Sequence, residues 1–105
     1  MELTDQEFRV KADDALEEAR RALLPLADAE DFEVELQNGV LQILFEQPTE
    51  AKFIISPNAP VRQIWVSALS RSFKLPWSSE LPGFAFDGEP LPDLLARLAR
   101  QQLAH

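Results

Sequence analysis

The sequence predicts an α+β fold, a two-layer α-β sandwich in which an amino-terminal and a carboxy-terminal helix pack on one face of an antiparallel sheet. Three observations carry this. Apolar residues recur at helical spacing near both ends of the chain, they alternate with polar residues in between, and Asn38-Gly39 separates two alternating runs where a tight hairpin belongs. A chain of 105 residues, 46% of them hydrophobic, suffices for one domain over residues 1–105 with one core.

Thr4 followed by Glu7 is a capping-box signature, and Phe8, Ala12, Ala15, Ala19 and Leu23 then recur on one helical side. A first helix from about Asp5 to Leu24 is expected. It should stop before Pro25, which lacks an amide donor and whose ring collides with the preceding turn. From Phe32 the period becomes two: Phe32, Val34 and Leu36 alternate with Glu33, Glu35 and Gln37, and the Asn38-Gly39 turn leads into Val40 to Phe45. Lys52 to Ser56, Arg62 to Ser67, Ser72 to Leu75 and Phe84 to Phe86 are further short strands, separated by loops rich in Pro, Ser and Asn, so the sheet reads as a meander. Leu91, Leu94, Leu95 and Leu98 then mark a closing helix, with Pro90 and Pro92 tolerable only in its first turn. With both helices on one face, the other face of the sheet must meet solvent or a partner.

Composition removes several chemistries. The chain has no cysteine, which excludes disulfides, thiolate metal sites and thiol nucleophiles. Its single histidine, His105, is the terminal residue, where a buried imidazole ligand or a Ser-His-Asp triad is not to be expected. No apolar run of about 18 residues exists, and the acidic start MELTDQEF resembles neither an export nor a transit signal, so the expected location is the cytoplasm.

The net charge is −8, and it is one-sided. Residues 1–35 hold twelve of the 18 acids against four bases, whereas the rest of the chain holds six of each. Such a field repels nucleic acid and anionic lipid and attracts cations or a basic protein surface. On a helical wheel Asp13, Asp14, Glu17 and Glu18 fall opposite the apolar stripe and form a ridge. Asp13 with Glu17 and Asp14 with Glu18 are like-charge pairs one turn apart, each opposing the helix by roughly 0.2 to 0.5 kcal/mol. Composition alone favours an ordinary solvated face; if the ridge binds metal, oxygen-only ligands on an exposed face imply hard cations held weakly. The second feature is Trp65. Ile64 and Val66 should point to the helices, which sends Gln63, Trp65 and Ser67 to the open face. There Trp65 is either covered by its neighbours or, with Asn58 and Gln63, part of an interface.

Together these features resemble the frataxin family, and the resemblance runs from Thr4 to Leu103. It is strongest over IISPNAPVRQIWV, residues 54–66, where Pro60 and Gln63-Ile64-Trp65 resemble a P-x-x-Q-[IV]-W signature. Asn38-Gly39-Val40-Leu41 resembles the family's turn-and-strand motif, and Asp87-Gly88 before Leu91, Leu94 and Leu95 its entry into the last helix. The resemblance implies the bacterial type of frataxin-like sandwich and an accessory role in iron-sulfur cluster assembly, without an active site of its own. It implies no tightly bound cofactor, weak binding of ferrous or ferric iron, and docking on a cysteine desulfurase and an iron-sulfur scaffold protein by a monomer. The acids at matching positions are Asp13, Asp14, Glu17, Asp28, Asp31 and Glu33, while Glu18 and Glu30 are additions of this chain. Glu18, Asn58, Gln63 and Trp65 are the expected partner contacts. Arg20, Arg21, Leu24 and Pro25 stand where the family often carries acids. The competing class, an iron-storing or ferroxidase-like protein, would need Glu-x-x-His motifs on buried helices, and the chain contains none.

Overall fold

The structure, a computed structural model, describes residues 3–104, so Glu2 and the terminal His105 lie outside the described residues. Helix α1 spans Asp5–Glu30, strands β1 to β7 span Glu33–Gln37, Val40–Phe45, Ala51–Asn58, Gln63–Ala68, Arg71–Ser78, Gly83–Phe86 and Glu89–Pro90, and helix α2 spans Leu91–Leu103. Among the described residues the strands pair only with their sequence neighbours, in the order β1 to β7, and these pairings are antiparallel. The predicted α+β sandwich and its meander are therefore present.

Helix α1 begins as its sequence signals require. The Thr4 hydroxyl accepts from the Glu7 amide at 3.1 Å, and the Glu7 carboxylate accepts from the Thr4 amide at 2.9 Å, so two amides that the first turn leaves without partners are satisfied. The helix does not end before Pro25, however. It continues to Glu30 with Pro25 inside it. The proline removes one hydrogen bond to the carbonyl of Arg21, but both residues are exposed, so water can satisfy that carbonyl. On the opposite side Leu23 and Ala27 are buried, and the core stripe runs straight past the proline. The stripe itself is Phe8, Ala12, Leu16, Ala19, Leu23 and Ala27; Leu16 is fully buried, whereas Ala15 is only partly so. Asp31 ends the helix in the left-handed conformation at φ 60°. The amide of Phe32 then donates to the Ala27 carbonyl at 3.2 Å, and the Phe32 ring packs 4.9 Å from Phe45.

Asn38 and Gly39, at φ 53° and 75°, form the expected two-residue hairpin turn, which closes on the pair Gln37 and Val40. Strands β3 and β5 run longer than predicted, and β7 was not anticipated, because two residues containing a proline carry no alternation to read. The buried face of the sheet presents Leu41, Ile43, Phe45, Phe53, Ile55, Ile64, Val66, Phe73 and Leu75 to the helices. Helix α2 adds Leu91, Leu94, Leu95, Leu98 and Ala99, with Pro92 in its first turn as expected. Its buried Gln102 donates to the carbonyl and hydroxyl of Thr49 at 3.4 and 3.1 Å, tying α2 to the β2–β3 loop. No helix among the described residues is long and apolar enough to cross a membrane.

Candidate functional site

The sheet register decides what the uncovered face carries. Ile64 and Val66 are buried, so Gln63, Trp65 and Ser67 point the other way, as the period of two requires. Ser56 stands opposite Trp65 on β3 and Lys74 opposite it on β5, while Asn58 pairs with Gln63. The Trp65 indole N–H donates to the side-chain amide oxygen Oε1 of Gln63 at 2.9 Å, and the Lys74 ammonium lies 5.0 Å from the ring centroid. These contacts orient the ring without covering it, and Trp65 remains 37% exposed. Ile54, on the same face, is equally exposed. Ile54, Ser56, Trp65, Ser67, Ser72 and Lys74 border a shallow depression of about 220 Å³. Asn58 and Gln63 are half-buried at the end of this face nearest the 3₁₀ turn Ala59–Val61. Three of the four predicted partner contacts thus share one surface. Ile54 and Lys74 were missed by sequence reasoning, although their outward parity in β3 and β5 could have placed them beside Trp65.

Glu18, the fourth, lies apart on α1, exposed with Asp13 and Asp14. The six predicted metal-ligating acids fall into two groups. Asp13, Asp14 and Glu17 occupy the amino-terminal half of α1, while Asp28, Asp31 and Glu33 sit at the α1–β1 junction. Even Glu17 and Asp28, the members of the two groups nearest along α1, are eleven residues apart, about 17 Å at 1.5 Å per residue, so the two groups cannot share an ion. Among the described residues no three His, Cys, Asp or Glu side chains are grouped closely enough to hold a metal ion.

Glu17 differs from the other acids. It accepts two hydrogen bonds from Arg20, at 2.8 and 2.6 Å, and a third from Arg21 at 3.2 Å. The Arg20 bond foremost holds its carboxyl well below the ordinary 4.5, at about 2. The arginines that break the family's acidic pattern therefore neutralise one of its acids. At the far end of α1, Asp28, Glu30 and Asp31 crowd the negative end of the helix dipole, and no basic residue occupies the last turn. Those acids and Glu33, which begins β1, have no ion pair within 4.0 Å among the described residues.

Comparison with known proteins bears on this arrangement. A family model described as frataxin-like domain matches residues 1–105. The chain belongs to the frataxin-like family. Among its relatives, a Pseudomonas fluorescens protein named iron-sulfur cluster assembly protein CyaY is 30% identical over 106 residues, covering 97% of this chain and 91% of the relative. A Pseudomonas aeruginosa protein of the same name is 37% identical over 79 residues, 71% of each chain. A frataxin from Psychromonas ingrahamii has the same fold, with a TM-score of 0.71 at 22% identity over 94% of this chain and 91% of that one. In this frataxin-like chain the acids of α1 and the tryptophan face are on different layers of the sandwich, whereas Glu33 of β1 belongs to the same sheet as Trp65.

Proposed function

We propose that this frataxin-like protein is an accessory and regulatory component of iron-sulfur cluster assembly, with no catalytic centre of its own, that docks on a cysteine desulfurase and an iron-sulfur scaffold protein and binds ferrous or ferric iron weakly. The names of its relatives support the assembly role. The observation that carries the docking reading is Trp65, held in one orientation by Gln63 and Lys74 yet left 37% exposed on a sheet face that no helix covers. A side chain this large, pre-ordered and open to water, supplies contact area at little further entropic cost, which is the character of an interface hot spot. Asn58 and Gln63 beside it offer hydrogen bonds to the scaffold protein.

The acids of α1 and β1 supply the second contact. They steer the protein towards a basic surface of the desulfurase, and Glu18 adds to the ridge formed by Asp13 and Asp14. Exposed carboxylates in two separate groups suit loosely held, still largely hydrated iron, with few protein ligands per ion. The experiment is a titration of a cysteine desulfurase, alone and with scaffold protein, against the isotope-labelled chain followed by NMR. Binding is expected to perturb the acids of α1 with the desulfurase alone, and the Trp65 indole once scaffold is present. Failure to bind either protein would overturn the reading. A parallel titration with ferrous iron should broaden amides of Asp13, Asp14, Asp31 and Glu33, and unperturbed amides would remove iron from the proposal.

A further inference from the structure

The free edge of the sheet has a chemistry that its register makes explicit. Among the described residues β1 pairs with β2 alone. The two-residue turn makes Gln37 and Val40 a hydrogen-bonded pair, and antiparallel ladders alternate, so Glu35 with Gln42 and Glu33 with Leu44 exchange bonds as well. The N–H and C=O groups of Val34 and Leu36 therefore point away from β2, along the outer edge. Their side chains turn to the helix layer, where they are half-buried and pack against the core. Glu33 and Glu35 turn to the opposite face and are exposed, with no basic side chain among the described residues within 4.0 Å of either.

From this we infer that β1 accepts an added strand from a partner, an extended segment in which basic residues alternate with apolar ones. Its backbone pairs with Val34 and Leu36, its apolar side chains extend the half-buried row that those residues begin, and its basic side chains lie beside Glu33 and Glu35. Asp28, Glu30 and Asp31 at the end of α1 add to the attraction. A second copy of this chain does not fit the edge, because pairing β1 with β1 would set Glu33 and Glu35 against their counterparts. The inference rests on the acidic-face docking reading and gives it a binding mode.

The test uses a capped peptide of about eight alternating lysine and valine residues, a typical strand length, and a second peptide N-methylated at every other residue on its pairing edge. The first should slow hydrogen exchange at the Val34 and Leu36 amides, and the second, with the same charge but without the donors, should bind about tenfold or more weakly. The E33K and E35K double variant should lose the lysine-valine peptide and protect the same two amides with a glutamate-valine peptide. Equal affinity for both lysine-valine peptides, unprotected Val34 and Leu36 amides, or no binding overturns strand addition. So does protection that appears without peptide as the protein is concentrated, which would assign the edge to a second copy. If the desulfurase binds the protein but leaves these two amides unprotected, the docking reading stands and strand addition alone fails.

Discussion

Glu17 engages two guanidinium groups at once, and its carboxyl is held at about 2, against an ordinary 4.5, chiefly by the Arg20 hydrogen bonds. A carboxyl whose folded value is depressed contributes stability above its unfolded value and loses it as the pH falls towards the folded one. The contribution of Glu17 is thus complete above about pH 4.5 and disappears between there and about pH 2. Glu17→Gln should flatten the acid limb of stability in that window, as read by urea unfolding at a series of pH values. The side chain is 33% exposed, so added salt should shrink the difference. Trp65 answers to a different balance. Its ring is open on one side, so Trp65→Ala should change folding stability by less than about 1 kcal/mol while weakening scaffold docking by about 2 kcal/mol or more. Urea unfolding and calorimetric titration measure the two separately, and an unfolded variant would mean that Trp65 belongs to the core.

At the scale of elements, α1 shows how far burial can override a local rule. An interior proline costs about 3 kcal/mol, yet the helix passes through Pro25 because stopping there would withdraw Ala27 from the core and misplace Phe32, whose burial is worth about 1.5 to 3 kcal/mol. Pro25→Ala restores a donor to the Arg21 carbonyl at an exposed site and should stabilise the protein by about 1 to 3 kcal/mol, raising its melting temperature by about 4 °C or more. Thermal unfolding followed by circular dichroism checks this, and an unchanged melting temperature would show that the Arg21 carbonyl is satisfied equally well by water. The alternating strands β1 to β5 were legible because each has a more buried and a more open face, and β6, with Phe84 and Ala85 both buried, also emerged near its expected position. Strand β7 was not, since Glu89 and Pro90 acquire strand geometry only by pairing with Phe86 and Ala85.

For the whole molecule, the acids of α1 and Trp65 lie on different layers and depend on different forces. The acids of α1 act at long range and are screened over about 8 Å at physiological salt, so they govern encounter; Trp65 acts on contact and governs residence. Glu17 is already neutralised by its arginines, whereas Asp14 and Glu18, like Asp13, have no ion-pair partner within 4.0 Å among the described residues and remain effective charges of the ridge. Asp14→Lys with Glu18→Lys should lower the association rate with the desulfurase by about tenfold and flatten its dependence on ionic strength, with little change in dissociation. Stopped-flow measurements at several salt concentrations test this. A change confined to dissociation would place these residues inside a tight contact instead.

The sequence by itself determined the layers of this protein and which faces are covered, because periods of 3.6 and two residues translate directly into buried and open sides. Periodicity alone assigns Phe8, Leu94, Ile64 and Trp65 to their faces. Family motifs around Asn38-Gly39 and Gln63-Ile64-Trp65 were equally legible, since each depends on residues adjacent in the chain. Only the tertiary structure decided what depends on residues meeting from a distance. It carried α1 past Pro25 because the core beneath Leu23 and Ala27 continues, and it set Lys74 over Trp65 through strand register. It separated the two groups of acids by about three turns of α1, and it left Val34 and Leu36 at an edge that no other strand of this sheet occupies. Local pattern records which way a side chain points, whereas distance between residues remote in sequence is settled by packing.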